Sequence, residues 1–268
     1  MLGISSWTYG WAVGVNGYPA PDRPLTAIGL LERARAFGVP LMQFADNLPL
    51  DRLSEDELAC LRQRAQEWHI AIELGTRGFE PARLLRYLEL ARYFDAKIVR
   101  IVPHGTDGEP NLREIESRLR ELLPEYRAAG VVIAIENYER HSAACLAALV
   151  DRLDSEWVGV CLDTVNSMGA LETPKEVVRT LGPYVVNLHI KDFRIERVPS
   201  KMGYVVRGCV AGEGRLDVPW LLRELERYGR RPNRILELWT PYQQSVAETI
   251  ALEEEWARRS IRYLQQLA

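Results

Sequence analysis

The sequence predicts a (β/α)8 barrel, a TIM barrel filling residues 1–268 as a single domain, with a hairpin excursion after strand seven. Three observations carry this. The chain has 268 residues, close to the roughly 250 of a lone barrel of this kind. Short apolar runs alternate with longer amphipathic stretches from one end to the other, the mark of repeated βα units and a parallel sheet. The apolar runs number eight, and eight such units close on themselves.

The strands are expected at 2–6, 41–45, 70–74, 98–102, 131–135, 158–162, 185–190 and 235–238. The helices between them begin with cap chemistry. Ser54 and Asn111 each stand three residues before a glutamate, Glu57 and Glu114, so side chain and backbone NH satisfy one another across the first turn. Thr173-Pro174 and Asp217-Val218-Pro219 place proline where its missing NH is not needed. Gly38, Gly130, Gly182 and Gly229 each precede a strand, where a helix ends on a left-handed residue that glycine adopts without strain. The connection after strand seven, 191–216, is the long exception. Within it, 194–198 and 204–210 flank Pro199-Ser200-Lys201-Met202-Gly203, which reads as a hairpin, since long structureless loops are uncommon in compact domains.

Composition bounds the function classes. At 47% hydrophobic and 26% charged the chain is ordinary for a soluble globular protein. Thirty-four Lys plus Arg against 37 Asp plus Glu leave a net charge of −3, no electrostatic footprint for nucleic acid. No run approaches the roughly 18 apolar residues of a membrane span. The segment Met1-Leu2-Gly3-Ile4-Ser5-Ser6-Trp7 lacks the basic start and apolar core of a signal peptide. Cys60, Cys145, Cys161 and Cys209 are scattered without a CxxC pair, and Cys161, inside an apolar run, reads as a small hydrophobe. A cytoplasmic location is the expectation.

The informative residues are the polar ones that interrupt or follow the later strands. Strand five ends Ile133-Ala134-Ile135-Glu136-Asn137, strand six Cys161-Leu162-Asp163-Thr164-Val165-Asn166, strand seven Asn187-Leu188-His189-Ile190-Lys191-Asp192, and strand eight Leu236-Glu237-Leu238-Trp239. Strand C-termini share one mouth, where the active sites of this fold lie. Glu136, Asp163, His189 and Glu237 therefore converge. Three carboxylates at an apolar mouth repel one another unless a cation lies between them. Oxygen ligands with one neutral imidazole suit one divalent ion, Mn²⁺ first, with Mg²⁺, Co²⁺ and Zn²⁺ as alternatives. One acid at a strand end usually caps a helix or joins a salt bridge, and one histidine in an apolar strand usually serves the core. Four at the same end of four consecutive strands read otherwise. Their spacings of 27, 26 and 48 residues are one βα repeat each, the last lengthened by the hairpin.

These motifs, with Gly212-Glu213-Gly214-Arg215-Leu216-Asp217 before the next helix, resemble the xylose isomerase-like barrel superfamily. The resemblance spans the whole chain and is strongest from Val131 onward. It is closest to the sugar phosphate isomerase/epimerase group, with its ketose 3-epimerases, hydroxypyruvate isomerases and inosose dehydratases. It implies that Glu136, Asp163, His189 and Glu237 match the one-metal site of the ketose 3-epimerases, and that Glu136 and Glu237 are the catalytic acid/base pair. The chemistry agrees, since moving a proton beside a carbonyl needs a base on one face, an acid on the other and a cation on the oxygen. Where the epimerases often carry a histidine, three residues after the strand-six aspartate, this chain has Asn166, which joins the substrate-binding candidates. Their arginine after strand seven has only Lys191 or Arg194 as counterpart.

Further substrate-binding candidates each carry a plainer reading. His104 is a contact at the mouth or a local loop residue. Lys191 meets a substrate hydroxyl or carboxylate, or pairs with a neighbouring acid. Trp7 and Trp239 wall a sugar skeleton or pack the mouth. Gly212-Glu213-Gly214 reads as a structural turn rather than an anion cradle, because a glutamate sits inside it. The arginine-rich stretch 227–234 reads as a solvated face at the opposite end, and His69 and His141 as structural or surface residues. The hairpin, with Arg194, Arg197 and Arg207 and the apolar Ile195, Val198, Tyr204 and Val206, is expected to cover the mouth or meet a neighbouring subunit there; the alternative is surface decoration.

The expected function is a metal-dependent isomerase or epimerase of a small sugar or polyol. No nucleic acid or membrane partner is expected, and assembly into a homo-oligomer is left open. An inosose dehydratase-type lyase is the nearest alternative, since it shares the proton abstraction. An endonuclease IV-like nuclease would need further histidines that this chain lacks. A non-catalytic sugar-binding barrel would have no use for two glutamates on one metal.

Overall fold

A computed structural model of the chain describes residues 1–105 and 110–267. Eight parallel strands close into a barrel. In chain order they are β1 (Leu2–Ser5), β2 (Leu41–Phe44), β3 (Ala71–Arg77), β4 (Ile98–Val102), β5 (Val132–Glu136), β6 (Val158–Asp163), β7 (Val185–Ile190) and, after the hairpin, β10 (Asn233–Leu236). β10 pairs with both β7 and β1 and so shuts the barrel. β8 (Asp192–Arg197) and β9 (Tyr204–Cys209) form a separate antiparallel pair, the expected excursion. The helices are α1 (Gly10–Val13), α2 (Ala27–Phe37), α3 (Glu55–Glu67), α4 (Pro81–Phe94), α5 (Leu112–Ala129), α6 (Ala143–Leu153), α7 (Pro174–Leu181), α8 (Val218–Arg227) and α9 (Val246–Gln265). Among the described residues no helix is long and apolar enough to cross a membrane.

Local chemistry explains the boundaries. Ser54 with Glu57 and Asn111 with Glu114 form capping boxes at the starts of α3 and α5, and Thr173 with Glu176 does the same for α7. Gly38, Gly130 and Gly229 take left-handed φ values of 64°, 66° and 71°. Gly182 does not. Its φ of −46° is right-handed, because α7 runs directly into a 3-10 turn, Gly182–Tyr184, and the chain needs no reversal there. β3 continues to Arg77, and β10 stops at Leu236. Glu237 thus lies just past its strand, where its NH still bonds the Ile190 carbonyl at 3.1 Å.

Alternation along the strands sorts the side chains. Met42, Phe44, Ile72, Leu74, Val99, Ile101, Leu188 and Ile190 are buried in the shell between sheet and helices. The residues between them, Gln43, Glu73, Arg100, Asn187 and His189, are just as buried but hydrogen-bond or ion-pair with one another or with acids across the barrel. The inside of this barrel is largely polar, with a small apolar cluster of Ile98, Ala134 and Cys161, and the main apolar core lies outside the sheet.

The connection after β7 is held by one acid. Asp192 accepts the backbone NH groups of Gly212, Gly214, Leu216 and Phe193 at 2.8–3.0 Å. The Gly212-Glu213-Gly214 turn is therefore structural, and the anion it cradles is the chain's own carboxylate. A Cβ at Gly214 would lie 2.1 Å from Asp192 Oδ1, so only glycine fits that approach.

Candidate active site

The ends of β5, β6, β7 and β10 bring Glu136, Asp163, His189 and Glu237 together, all of them buried. In register, Asp163 faces His189 and His189 faces Ile235. Asp163, His189 and Glu237 offer ligand atoms all within 4.8 Å of one another, and so do Glu136, Cys161 and His189. His189 Nδ1 lies 3.5 Å from Glu136 Oε2 and 3.4 Å from Glu237 Oε1. Further contacts hold the acids in place. Ser5 Oγ donates to Glu237 Oε1 at 2.8 Å, Asn166 Nδ2 to Glu136 Oε1 at 2.7 Å, and the NH groups of Val165 and Asn166 to Asp163 Oδ1.

Two cations stand among these acids: Lys191, already a candidate from the sequence, and Arg100, which sequence reasoning did not place. Lys191 Nζ is 2.8 Å from Asp163 Oδ2 and 2.9 Å from Glu237 Oε2. Arg100, in the middle of β4, pairs with Glu136 and, at 2.7 Å, with Asp46. Arg77 reaches the other oxygen of Asp46 at 2.7 Å. The chain itself therefore supplies part of the compensation that the three carboxylates need, from β4 and from the end of β7. A signal for Arg100 existed: one charge interrupting Ile98-Val99-Arg100-Ile101-Val102 must find a partner when the strand is buried.

The residues still fit a divalent ion. Among the described residues, His189 Nδ1 is buried without a hydrogen-bond partner, and Asp163 Oδ2 and Glu237 Oε2 face only the Lys191 ammonium. Convergent ligand atoms of oxygen and imidazole type are what a hard or borderline divalent cation takes.

Electrostatics separates the two glutamates. Burial alone would raise both carboxyls. For Glu237 the neighbouring His189 and Lys191 outweigh it and hold the group well below the ordinary glutamate value. For Glu136 burial prevails over Arg100, and its value is raised, although both its oxygens accept hydrogen bonds suited to the ionised form. Glu136 is thus the nearer of the two to protonation. Burial also opposes the charge on Lys191, but Asp163, Glu237 and Glu136 overcome it and raise its pKa.

A cavity of about 670 Å³ opens above these groups, lined among others by Trp7, Trp239, Asn166, Lys191, Arg77 and Tyr138. Four of the expected substrate-binding residues thus face it. His104 stands behind Tyr138, ring centroids 4.6 Å apart, and burial lowers its pKa. Val206 of β9 also lines the cavity, so the hairpin contributes to the wall of the mouth.

The family model described as xylose isomerase-like TIM barrel matches residues 31–267. The chain belongs to this family. A 3-oxo-isoapionate decarboxylase of Pectobacterium atrosepticum is 36% identical to it over 263 residues, covering 98% of this chain and 94% of the relative. Among solved structures, the D-psicose 3-epimerase of Clostridium cellulolyticum H10 with D-tagatose superposes at a TM-score of 0.73 and 16% identity, covering 98% of this chain and 96% of that one. A xylose isomerase-like protein of Mycobacterium smegmatis in complex with magnesium superposes at 0.71 and 18% identity, over 97% and 96%. At those identities the likeness is one of fold. The relatives named by an activity are enzymes, and so is this protein.

Proposed function

We propose that this barrel domain binds one divalent ion through Glu136, Asp163, His189 and Glu237 and releases CO2 from a 3-oxo acid derived from a small sugar. The observation that carries the reading is the set of cations at the cavity, Lys191, Arg100 and Arg77, beside the metal ligands. Each already pairs with an acid of the site, but a divalent ion would take up the same Asp163 and Glu237 oxygens and leave the Lys191 ammonium free for the negative charge that a sugar acid brings and a neutral ketose lacks. The full-length likeness to a protein named as a decarboxylase of such an acid supports it.

The chemistry needs a proton donor but no base. The bond between the carboxylate and its neighbouring carbon breaks, CO2 leaves, and the electron pair passes through the carbon–carbon bond onto the former ketone oxygen. A bound divalent cation supplies Lewis-acid polarisation of that carbonyl. The Lys191 ammonium, held charged by its carboxylate neighbours, pairs with the developing negative charge. Glu136, the carboxyl nearer to protonation, returns one proton to carbon. Trp7 and Trp239 supply apolar walls that limit water.

The second reading is an isomerase or epimerase using Glu136 and Glu237 as acid and base. It is favoured by their placement at 3.5 and 3.4 Å from one His189 nitrogen, which sets the two carboxyls about a common locus. One experiment separates the readings. With Mn²⁺ in D₂O, a panel of 3-oxo sugar acids and a panel of ketoses are followed for CO2 release and deuterium uptake. Stoichiometric CO2 with one deuterium on the product carbon is expected. Exchange into ketoses without CO2 from any acid would sink the decarboxylase and leave the second reading.

A further inference from the structure

Below the metal ligands, the middle of the barrel holds a closed set of amides around one buried acid. Asn233 Nδ2 donates to Glu73 Oε1 at 2.6 Å. Gln43 Nε2 and Asn187 Nδ2 donate to Glu73 Oε2 at 3.0 and 2.9 Å, and Gln43 Nε2 also reaches Asn187 Oδ1 at 3.1 Å. Glu73 and Asn187 together decide which way the Gln43 amide points, because the reversed amide would set its carbonyl oxygen against Glu73 Oε2, which already accepts from Asn187, and against Asn187 Oδ1. With its NH2 group committed downward, Gln43 presents Oε1 to His189 Nε2 at 2.8 Å.

An amide oxygen only accepts hydrogen bonds. His189 must therefore carry hydrogen on Nε2, and in the neutral ring this leaves the lone pair on Nδ1. Nδ1 is the atom that faces Glu136 and Glu237 and lies buried without a partner. We propose that Gln43, oriented by Glu73 and Asn187, is a positioning residue that fixes the tautomer of His189 and thereby sets how tightly the site holds its divalent ion. Gln43 is fully buried and is not among the residues lining the substrate cavity, so it acts only through the histidine. Partners of this kind behind a metal-bound histidine are worth roughly 10–100-fold in metal affinity.

The inference rests on the metal reading of the site, and its test keeps the two apart. Mn²⁺ affinity is measured at one pH by electron paramagnetic resonance of the free ion for the wild type, Gln43→Met and the double variant Gln43→Glu with Glu73→Gln. In parallel, long-range ¹H–¹⁵N spectra of the Mg²⁺-loaded protein read the tautomer of His189. Only four histidines are present, and His189→Gln identifies the signal. The wild type should show hydrogen on Nε2. Gln43→Met, which keeps the length but removes the acceptor, should bind Mn²⁺ roughly 10–100-fold more weakly. Gln43→Glu, made together with Glu73→Gln so that no two carboxylates meet, restores an acceptor and should recover the tautomer and most of the affinity. Hydrogen on Nδ1 in the wild type, or Mn²⁺ affinity of Gln43→Met within about twofold of wild type, overturns the proposal while leaving the metal site standing. Equal weakening in both variants would mean lost packing and also overturns it. A wild type that binds no Mn²⁺ overturns both readings. Should Gln43→Met fail to fold, the wild-type spectrum and the double variant decide the matter.

Discussion

Lys191 Nζ sits against Asp163 Oδ2 and Glu237 Oε2, the oxygens a divalent ion would also use, so ammonium and metal compete at short range. Removing that charge with Lys191→Met should tighten Mn²⁺ binding by roughly tenfold or more, since a unit charge about 4 Å from a divalent ion costs about 2 kcal/mol even at the dielectric of water. It should also lower kcat by roughly 10²-fold or more, because the developing oxyanion loses its partner. Calorimetric Mn²⁺ titration beside turnover tests this; weaker Mn²⁺ binding in the variant would show that Lys191 supports the ion instead. The glutamates offer a second test. If Glu136 supplies the proton and no base is needed, Glu136→Gln should cost about 10²–10⁴-fold in CO2 release, and Glu237→Gln markedly less while keeping the ion through its amide oxygen. Equal losses in the two variants would point to the acid/base pair of an epimerase. Asp163→Asn removes a ligand charge and should weaken metal binding in either case.

The hairpin of β8 and β9 is tied to the barrel at its base and free at its tip. At the base, the Asp192 carboxylate takes four backbone NH groups. Asp192→Ala leaves those donors buried and should cost about 2–4 kcal/mol of stability by denaturant titration; a loss under about 0.5 kcal/mol, the level of an ordinary surface substitution, would mean that water replaces the carboxylate. A close approach completes the base, since a Cβ on Gly208 would meet the Trp239 carbonyl oxygen at 2.2 Å. At the tip, Met202 is 90% and Tyr204 62% exposed, so this part adds little to the fold. Replacing 198–204 with a short Gly/Ser turn should preserve folding and Mn²⁺ binding. Because Val206 on the same hairpin lines the cavity, KM or kcat should nonetheless suffer as water enters. Unchanged kinetics would leave the hairpin as decoration.

At the scale of the whole molecule, the last helix closes on the first loop through a single buried acid. Glu253 of α9 accepts the NH groups of Trp11 and Ala12, each at 3.0 Å, and so pins the β1–α1 segment that forms one wall of the cavity. Burial outweighs those two bonds and pushes its pKa up to about 8, against about 4.3 for an unfolded glutamate. The protonated form is therefore favoured by folding. Its contribution is complete below the unfolded pKa and is lost as pH rises through the folded one. Thermal midpoints should consequently fall between about pH 4.5 and pH 8 by an amount traceable to this group, and the Glu253→Gln variant should lose that part of the slope. An identical pH profile in the variant would show that Glu253 is ionised throughout.

Much of this was legible in the chain itself. Apolar runs of strand length, capping boxes and glycines before strands marked eight βα units, because those signals act within a few residues of one another. The repeat then made the cluster of Glu136, Asp163, His189 and Glu237 legible too, since one residue at the end of each strand is carried to the same mouth whatever the details between. What surrounds that cluster was not. Gln43, Glu73 and Arg100 were visible as polar interruptions of buried strands, but their partners lie far off in sequence, 144 residues away for Gln43 and Asn187 and 36 for Arg100 and Glu136. Pairing of the neighbouring strands β4 and β5 brings Arg100 to Glu136, and closure of the barrel brings Gln43 of β2 and Asn187 of β7 together across one interior. Which acids keep a free ligand atom, which are neutralised by Lys191 or Arg100, and which nitrogen of His189 faces the site are consequences of that closure, because short-range electrostatics depends on distances that local sequence does not set.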